Sequence, residues 1–320
     1  RLGDIRNGRH DCFPMNRRKL MSAAGGGLAA TMLGMTTQPA DAATFDSLKS
    51  LKRSPKMPVL FVGHGSPMNA IGDNEYRRSW QALGAEFGAK LPKPQLILCI
   101  SAHWITRGWW LTGMEKPRTI HDFGGFPDEL FAQQYPAPGA PAAAQEIGAG
   151  LRAPDSNKPV GLDKDEWGYD HGTWSVLKPM FPKADIPVIQ LSMDYSRPPA
   201  EHYALGRQLR ALRERGVLIV GSGNIVHNLR AAQRGVASNQ AYDWAIEFDR
   251  VVAGQLESGK LDMLSDFQKS GQLAQLAHPT HDHYLPLLHA AGAADGKDKV
   301  RTFNDNFQSA SISMRSVVWG

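Results

Sequence analysis

"PVLFVGHGSPM", residues 58–68, runs from an unbroken apolar stretch into a histidine set between two glycines. A continuous apolar run this short fits a β-strand covered on both faces, as in a parallel sheet, better than a half-exposed strand, which would alternate. The histidine then falls where the strand stops, with no neighbouring side chain to cover it. Four more stretches read as strands: "QLILCISA" (95–102), "IPVIQLSM" (186–193), "VLIVGSG" (217–223) and the C-terminal "SISMRSVVW" (311–319). Between them, residues 74–87, 140–151, 199–215, 241–258 and 284–291 are compatible with helices. Alternation of this kind predicts an α/β fold: a single domain with a central, mostly parallel (mixed) sheet flanked by helices. In such sheets ligands bind at the carboxyl ends of the strands, which is where an active site is expected.

The 320 residues, 42% of them hydrophobic, suffice for a sizeable core. The formal charge is +5, but residues 1–42 hold six Lys/Arg against three Asp/Glu, which leaves 30 against 28 in the rest. That near-balance, without a basic cluster interleaved with aromatics, argues against a nucleic-acid partner. Two cysteines, Cys12 and Cys99, exclude a disulfide framework and a thiolate metal site; Cys99, inside "LILCI", reads as a small core residue. Residues 15–42, "MNRRKLMSAAGGGLAATMLGMTTQPADA", pair Arg17 with Arg18 ahead of a weakly apolar Gly/Ala stretch and a small-residue cleavage site, and resemble a twin-arginine export signal. The expectation is a periplasmic protein exported already folded, with a cytoplasmic one as the alternative if the segment is a plain basic tail. Its glycines make it a poor membrane span. The chain thus divides into an upstream extension (1–14), the signal (15–42), a linker (43–57) and a catalytic domain (58–320).

Three apolar runs deliver a histidine at the same end: His64 after the first, His103 in "SAHW" after the second, and His227 in "GSGNIVHN" after the fourth. A single histidine is more often a hydrogen-bonded structural residue than a ligand. Several converging from different strands are what a metal requires. "HPTHDHYLPLL" adds His278, His281 and His283 just before a helix. A G-x-S-x-G elbow, a P-loop and an H-E-x-x-H motif are absent from the sequence, and Ser66 beside His64 has no evident triad partners.

"LFVGHGSPMNAI", "ISAHWITRG", "TIHDFGGFPDEL", "YPAPG", "WGYDHGTWSVLKPMFP", "IPVIQLSMD", "GSGNIVHNL" and "HYLPLLHAAGA" follow one another in an order and spacing that resemble the class III extradiol ring-cleavage dioxygenases, most nearly their 4,5-DOPA branch. The resemblance covers the chain from about residue 58 to its end. It implies that His64, His103 and His283 are metal ligands, the "LPLL" after His283 setting that register. His227 is implied as the acid/base, able also to coordinate the resting metal. His171 is implied as a second active-site histidine meeting substrate or oxygen, and His121 as a member of a substrate-binding loop. The cofactor implied is one divalent non-haem metal, Fe(II) for activity, with Zn(II) possible as the bound ion; the substrates are a catechol and O2. Trp104, Phe123, Phe126 and Tyr135 are candidates to line an aromatic pocket. A zinc-dependent hydrolase on the same three histidines is the alternative activity, and a non-catalytic metal-binding protein a third reading.

Overall fold

Alternate residues of each central strand feed two different cores. In Val59–Gly63 (β1), Val59 and Phe61 join one buried cluster while Leu60 and Val62 join the other. Leu96–Ser101 (β2) sends Leu96, Leu98 and Ile100 one way and Ile97 and Cys99 the other. Val188–Gln190 (β3) and Val217–Gly223 (β4) divide in the same manner. A period of two with both faces covered is the physical reason these runs show no polar alternation. The computed structural model describes Phe45 and residues 48–320. The upstream extension and the export signal expected over 1–14 and 15–42 lie outside the described residues.

Two further strands, Val300–Phe303 (β5) and Ser316–Trp319 (β6), complete a six-stranded sheet in the order β3-β2-β4-β1-β6-β5. β3, β2, β4 and β1 run parallel, with Ile97 opposite Val188, Leu96 opposite Val217 and Val59 opposite Ile219. β6 is antiparallel to β1, and β5 to β6. Helices cover both faces: Glu75–Glu86 (α1), Pro141–Gly150 (α2), His171–Met180 (α3), Pro199–Leu209 (α4), Asp243–Glu257 (α5) and Leu285–Ala293 (α6). Tyr76, Trp80 and Leu83 of α1 and Trp174 and Leu177 of α3 fill one core; α2, α4, α5 and α6 fill the other. Among the described residues, no helix is long and apolar enough to cross a membrane.

Several sequence expectations need adjustment. The stretch 311–319 is not one strand: Ile312–Ser313 pairs with Phe307–Gln308 in a separate ladder, and only Ser316–Trp319 enters the main sheet. The break lies at Met314, whose backbone N–H donates to Asn306. The helix read over 199–215 is α-helical only to Leu209 and then tightens into a 3-10 helix, Arg210–Arg215. α3 and β5 were not anticipated. α3 is short and carries Gly172 near its start and Pro179 near its end, both poor helix formers, and β5 is a half-exposed edge strand with charge on it. Within the segment 43–57, read as a linker, Phe45, Leu48, Leu51 and Met57 are buried, because these spaced apolar side chains find room against the domain.

Candidate metal centre and active site

The carboxyl ends of β1, β2 and β4 lie side by side, and each leads directly into a site residue. His64 follows β1 and is almost completely buried; His103 stands two residues past β2. β4 ends in Ser222 and Gly223, against which the loop carrying His283 is laid. A Cβ at Gly223 would sit 2.2 Å from the His283 carbonyl, so only glycine permits this approach, and the Asn224 N–H donates to the same carbonyl at 2.8 Å. His171 opens α3, whose start is capped by Asp170 accepting from the Thr173 N–H at 3.1 Å.

Hydrogen bonding fixes which nitrogen His64 and His283 offer. Ser222 Oγ donates its one proton to the Gly172 carbonyl (2.5 Å), so it can only accept from His64 Nδ1, 3.1 Å away. His64 Nε2 is therefore a bare lone pair. His283 Nδ1 donates to Asp282 Oδ2 at 2.5 Å, which makes Nε2 the nitrogen it can offer to a metal. His103 turns Nε2 toward His64 Nε2 at 3.3 Å and Nδ1 toward Asp122 Oδ2 at 3.4 Å.

Among the described residues, two groups bring potential ligand atoms within 4.8 Å of one another: His64, His103 and His283, and His103, Asp122 and His171. The first group fits a metal. Imidazole nitrogens about 2.0–2.1 Å from one ion lie roughly 3.0–3.4 Å apart, which matches the His64–His103 spacing of 3.3 Å. Two bare lone pairs facing each other at that distance repel unless a Lewis acid lies between them. Burial, reinforced by the surrounding rings, holds His64 and His103 well below the usual histidine pKa, so both stay neutral and able to ligate. Burial would push the Asp282 carboxyl up, but His283 beside it holds it well below the usual range, so it stays an acceptor.

His227 stacks on His283, ring centroids 3.4 Å apart and planes 3° from parallel. Burial first and His283 second hold its pKa well down, which makes it a neutral base at the edge of the metal group. His171 lies with its ring centroid 3.9 Å from His103 and 5.6 Å from Phe123, so it joins the same cluster from the α3 side. His121 does not enter it. Its Nε2 donates to the Gln133 carbonyl at 2.8 Å, and its ring packs against Phe123, Phe131 and Trp174. His281 stacks on Tyr195, and His278 donates from Nε2 to the Ile225 carbonyl at 2.6 Å, so both serve the loop and His283 alone of the three reaches the centre.

Of the aromatic candidates, Phe123 borders the site and Phe126 backs it at 5.4 Å. Tyr135 is instead a core residue whose hydroxyl donates to the Phe181 carbonyl, and Trp104 is buried against Trp167. Gly65 takes a left-handed φ of +58°. A Cβ there would meet Gln308 Oε1 and Met314 Sδ at 2.5 Å, so its small size admits the C-terminal segment. Ser66 accepts from the Met68 N–H and caps a turn. Asp122, Asp282 and Ser222 were not anticipated. The signal available was adjacency, since Asp122 and Asp282 stand in the "HDF" and "HDH" of histidine-bearing loops.

A three-histidine group at the carboxyl edge of an α/β sheet, with two more histidines beside it, could hold a metal with open positions, as in metal-dependent enzymes. A family model described as the catalytic LigB subunit of aromatic ring-opening dioxygenase matches residues 58–319, and the chain belongs to that family. It is 48% identical over 271 residues to a 4,5-DOPA dioxygenase extradiol of Escherichia coli (strain K12), a match covering 83% of this chain and 96% of that protein. A Beta vulgaris 4,5-DOPA dioxygenase extradiol is 36% identical across 81% of this chain and 94% of that one. A crystal structure of an uncharacterized Escherichia coli K12 protein superposes with a TM-score of 0.70 at 43% identity, covering 83% of this chain and all of the other. The protein is an extradiol dioxygenase of the DOPA dioxygenase branch, an oxidoreductase whose family typically uses non-haem Fe(II) and catechol-type aromatic substrates.

Proposed function

We propose that this site opens the ring of a DOPA-like catechol with O2, adjacent to rather than between the hydroxyls, to give a muconate semialdehyde-type product. The observation that carries the reading is the convergence of one ligand nitrogen each from His64, His103 and His283 within 4.8 Å. Fe(II) held by these nitrogens would supply open positions for both catechol oxygens and for O2, and the redox capacity that zinc lacks. His227, neutral and stacked on His283, takes a proton from a catechol hydroxyl and returns it as the ring opens. His171 orients the substrate from the opposite side, with Phe123 as an aromatic wall behind it. His121 contributes to substrate binding through Phe123, against which it packs. Burial of these rings keeps bulk water from the reacting atoms. A DOPA-like substrate is favoured by the 48% identity to the Escherichia coli relative.

The test is anaerobic loading with Fe(II), then oxygen uptake and product absorbance across a panel of catechols. One O2 consumed per catechol is expected, with zinc-loaded protein silent. No uptake with any catechol, or hydrolysis by the zinc form, would overturn the reading. His227→Ala is expected to keep its metal and lose at least about 100-fold in kcat; full turnover would remove the acid/base assignment. We further propose export of the folded enzyme through the segment 15–42, which Arg17→Lys with Arg18→Lys would abolish in a fractionation assay.

A further inference from the structure

Asp122 lies between two histidines of the site and is close to both. Its Oδ2 is 3.4 Å from His103 Nδ1 and its Oδ1 3.0 Å from His171 Nδ1, charge contacts not aligned as hydrogen bonds, while the His171 backbone N–H donates to that same Oδ1 at 2.9 Å. The side chain is 19% exposed, and the two imidazoles it faces are themselves only 3.9 Å apart. Oδ1 already accepts the His171 backbone N–H, so the carboxylate acts here as an acceptor. Any nitrogen turned toward it is favoured as N–H, because a bare lone pair would face a negative charge.

We propose that Asp122 is a positioning residue that sets the tautomers of His103 and His171 together, so that one carboxylate frees a metal-facing Nε2 on the first and a substrate-facing Nε2 on the second. The His103 half stands on metal binding alone. The His171 half rests on the ring-cleavage reading above for what that nitrogen meets. The arrangement differs from those at the other two ligands, where Ser222 serves His64 and Asp282 serves His283 singly. Here the same group ties the metal centre to the first turn of α3.

The amide of Asp122→Asn makes the idea testable because it keeps the size and offers one acceptor and one donor. Whichever ring meets the NH2 group must move its proton to Nε2. His103 then ceases to be a ligand, or His171 presents N–H where it had a lone pair. Asp122→Glu keeps two acceptor oxygens on a longer arm. Wild type and both variants are compared by anaerobic Fe(II) and Co(II) titration, by 15N NMR of the imidazoles in metal-free protein, by melting temperature, and by kcat and KM separately.

The expected result is a melting temperature near wild type, metal affinity weakened about 10- to 100-fold in Asp122→Asn, an Nε2–H signal at residue 103 or 171, and partial recovery in Asp122→Glu. Unchanged tautomers with unchanged affinity would overturn the proposal, as would a loss that merely follows the unfolded fraction. Two metals per wild-type chain, falling to one in Asp122→Asn, would make the carboxylate a ligand and overturn it as well. Failure of the ring-cleavage reading shows separately, as wild-type protein that binds metal and consumes no oxygen, and it leaves the titration and NMR readouts intact.

Discussion

At the residue scale, the ligand set depends on small polar groups that decide where one proton sits. Ser222 is the sharpest case, because its hydroxyl is committed to the Gly172 carbonyl and so obliges His64 to donate from Nδ1. Ser222→Ala removes that constraint and is expected to weaken metal binding about tenfold or more without changing the three ligands; equilibrium titration of the variant checks it. Such partners are hard to read from a sequence. His64 and His103 stand out because each directly follows an apolar run, whereas Ser222 is an ordinary strand-end serine until the fold brings it to His64, 158 residues away. His121 shows the converse: its loop reads as part of the site, and the structure spends its Nε2 on Gln133, leaving the neighbouring Asp122 to reach His103 and His171.

At the element scale, the packing of α4 against α6 contains a second histidine pair unrelated to the metal. His202 Nδ1 and His289 Nε2 lie 3.1 Å apart, both rings fully buried, with Trp109 edge-on to each. Burial drives the His202 pKa down to about 4 and His289 well below its usual value. An unfolded chain takes up protons on these rings near pH 6.5 while the folded one does not, so stability falls as pH drops from about 6.5 toward 4 and is constant from this source above that window. For His202 the full loss is about 3 kcal/mol. Urea unfolding of metal-free protein at several pH values should show this slope, shallower by up to about one proton in His202→Asn. An unchanged slope in the variant would mean the ring protonates in place. Both helices fall in segments that the sequence marks as compatible with a helix, but the histidine pair does not show there, because a buried His–His contact has no spacing signature. α3 escaped for a different reason: its ten residues include Gly172 near the start and Pro179 near the end, both poor helix formers.

At the scale of the whole molecule, the sheet separates a chemical edge from a structural one. The site occupies the carboxyl ends of β1, β2 and β4. At the amino ends, Arg213 is fully buried and gathers three chain segments. Its Nε donates to the Met57 carbonyl at 2.7 Å, and its Nη1 donates to Ala293 at 3.2 Å. Nη1 and Nη2 also grip Asp298 at 2.6 and 3.0 Å, while Lys56 reaches the same carboxylate at 2.7 Å. Burial opposes ionisation of Asp298, but Arg213 and Lys56 bring its pKa down to about 2, so its contribution is complete above roughly pH 4 and is lost as pH falls toward 2. Asp298→Ala leaves a buried guanidinium with only Asp295, 3.9 Å away, as counter-charge, and removing one partner of such a pair costs about 3–5 kcal/mol. The lower end is expected here because Lys56 keeps that corner partly wetted. The length of β1, about 17 Å, separates this clamp from His64, so the metal affinity and kcat of the folded fraction should match wild type. Denaturant unfolding beside metal titration measures both. A variant that keeps its stability would show the pair to be dispensable, and one that loses metal affinity while still folded would show the two edges to be coupled through the strands.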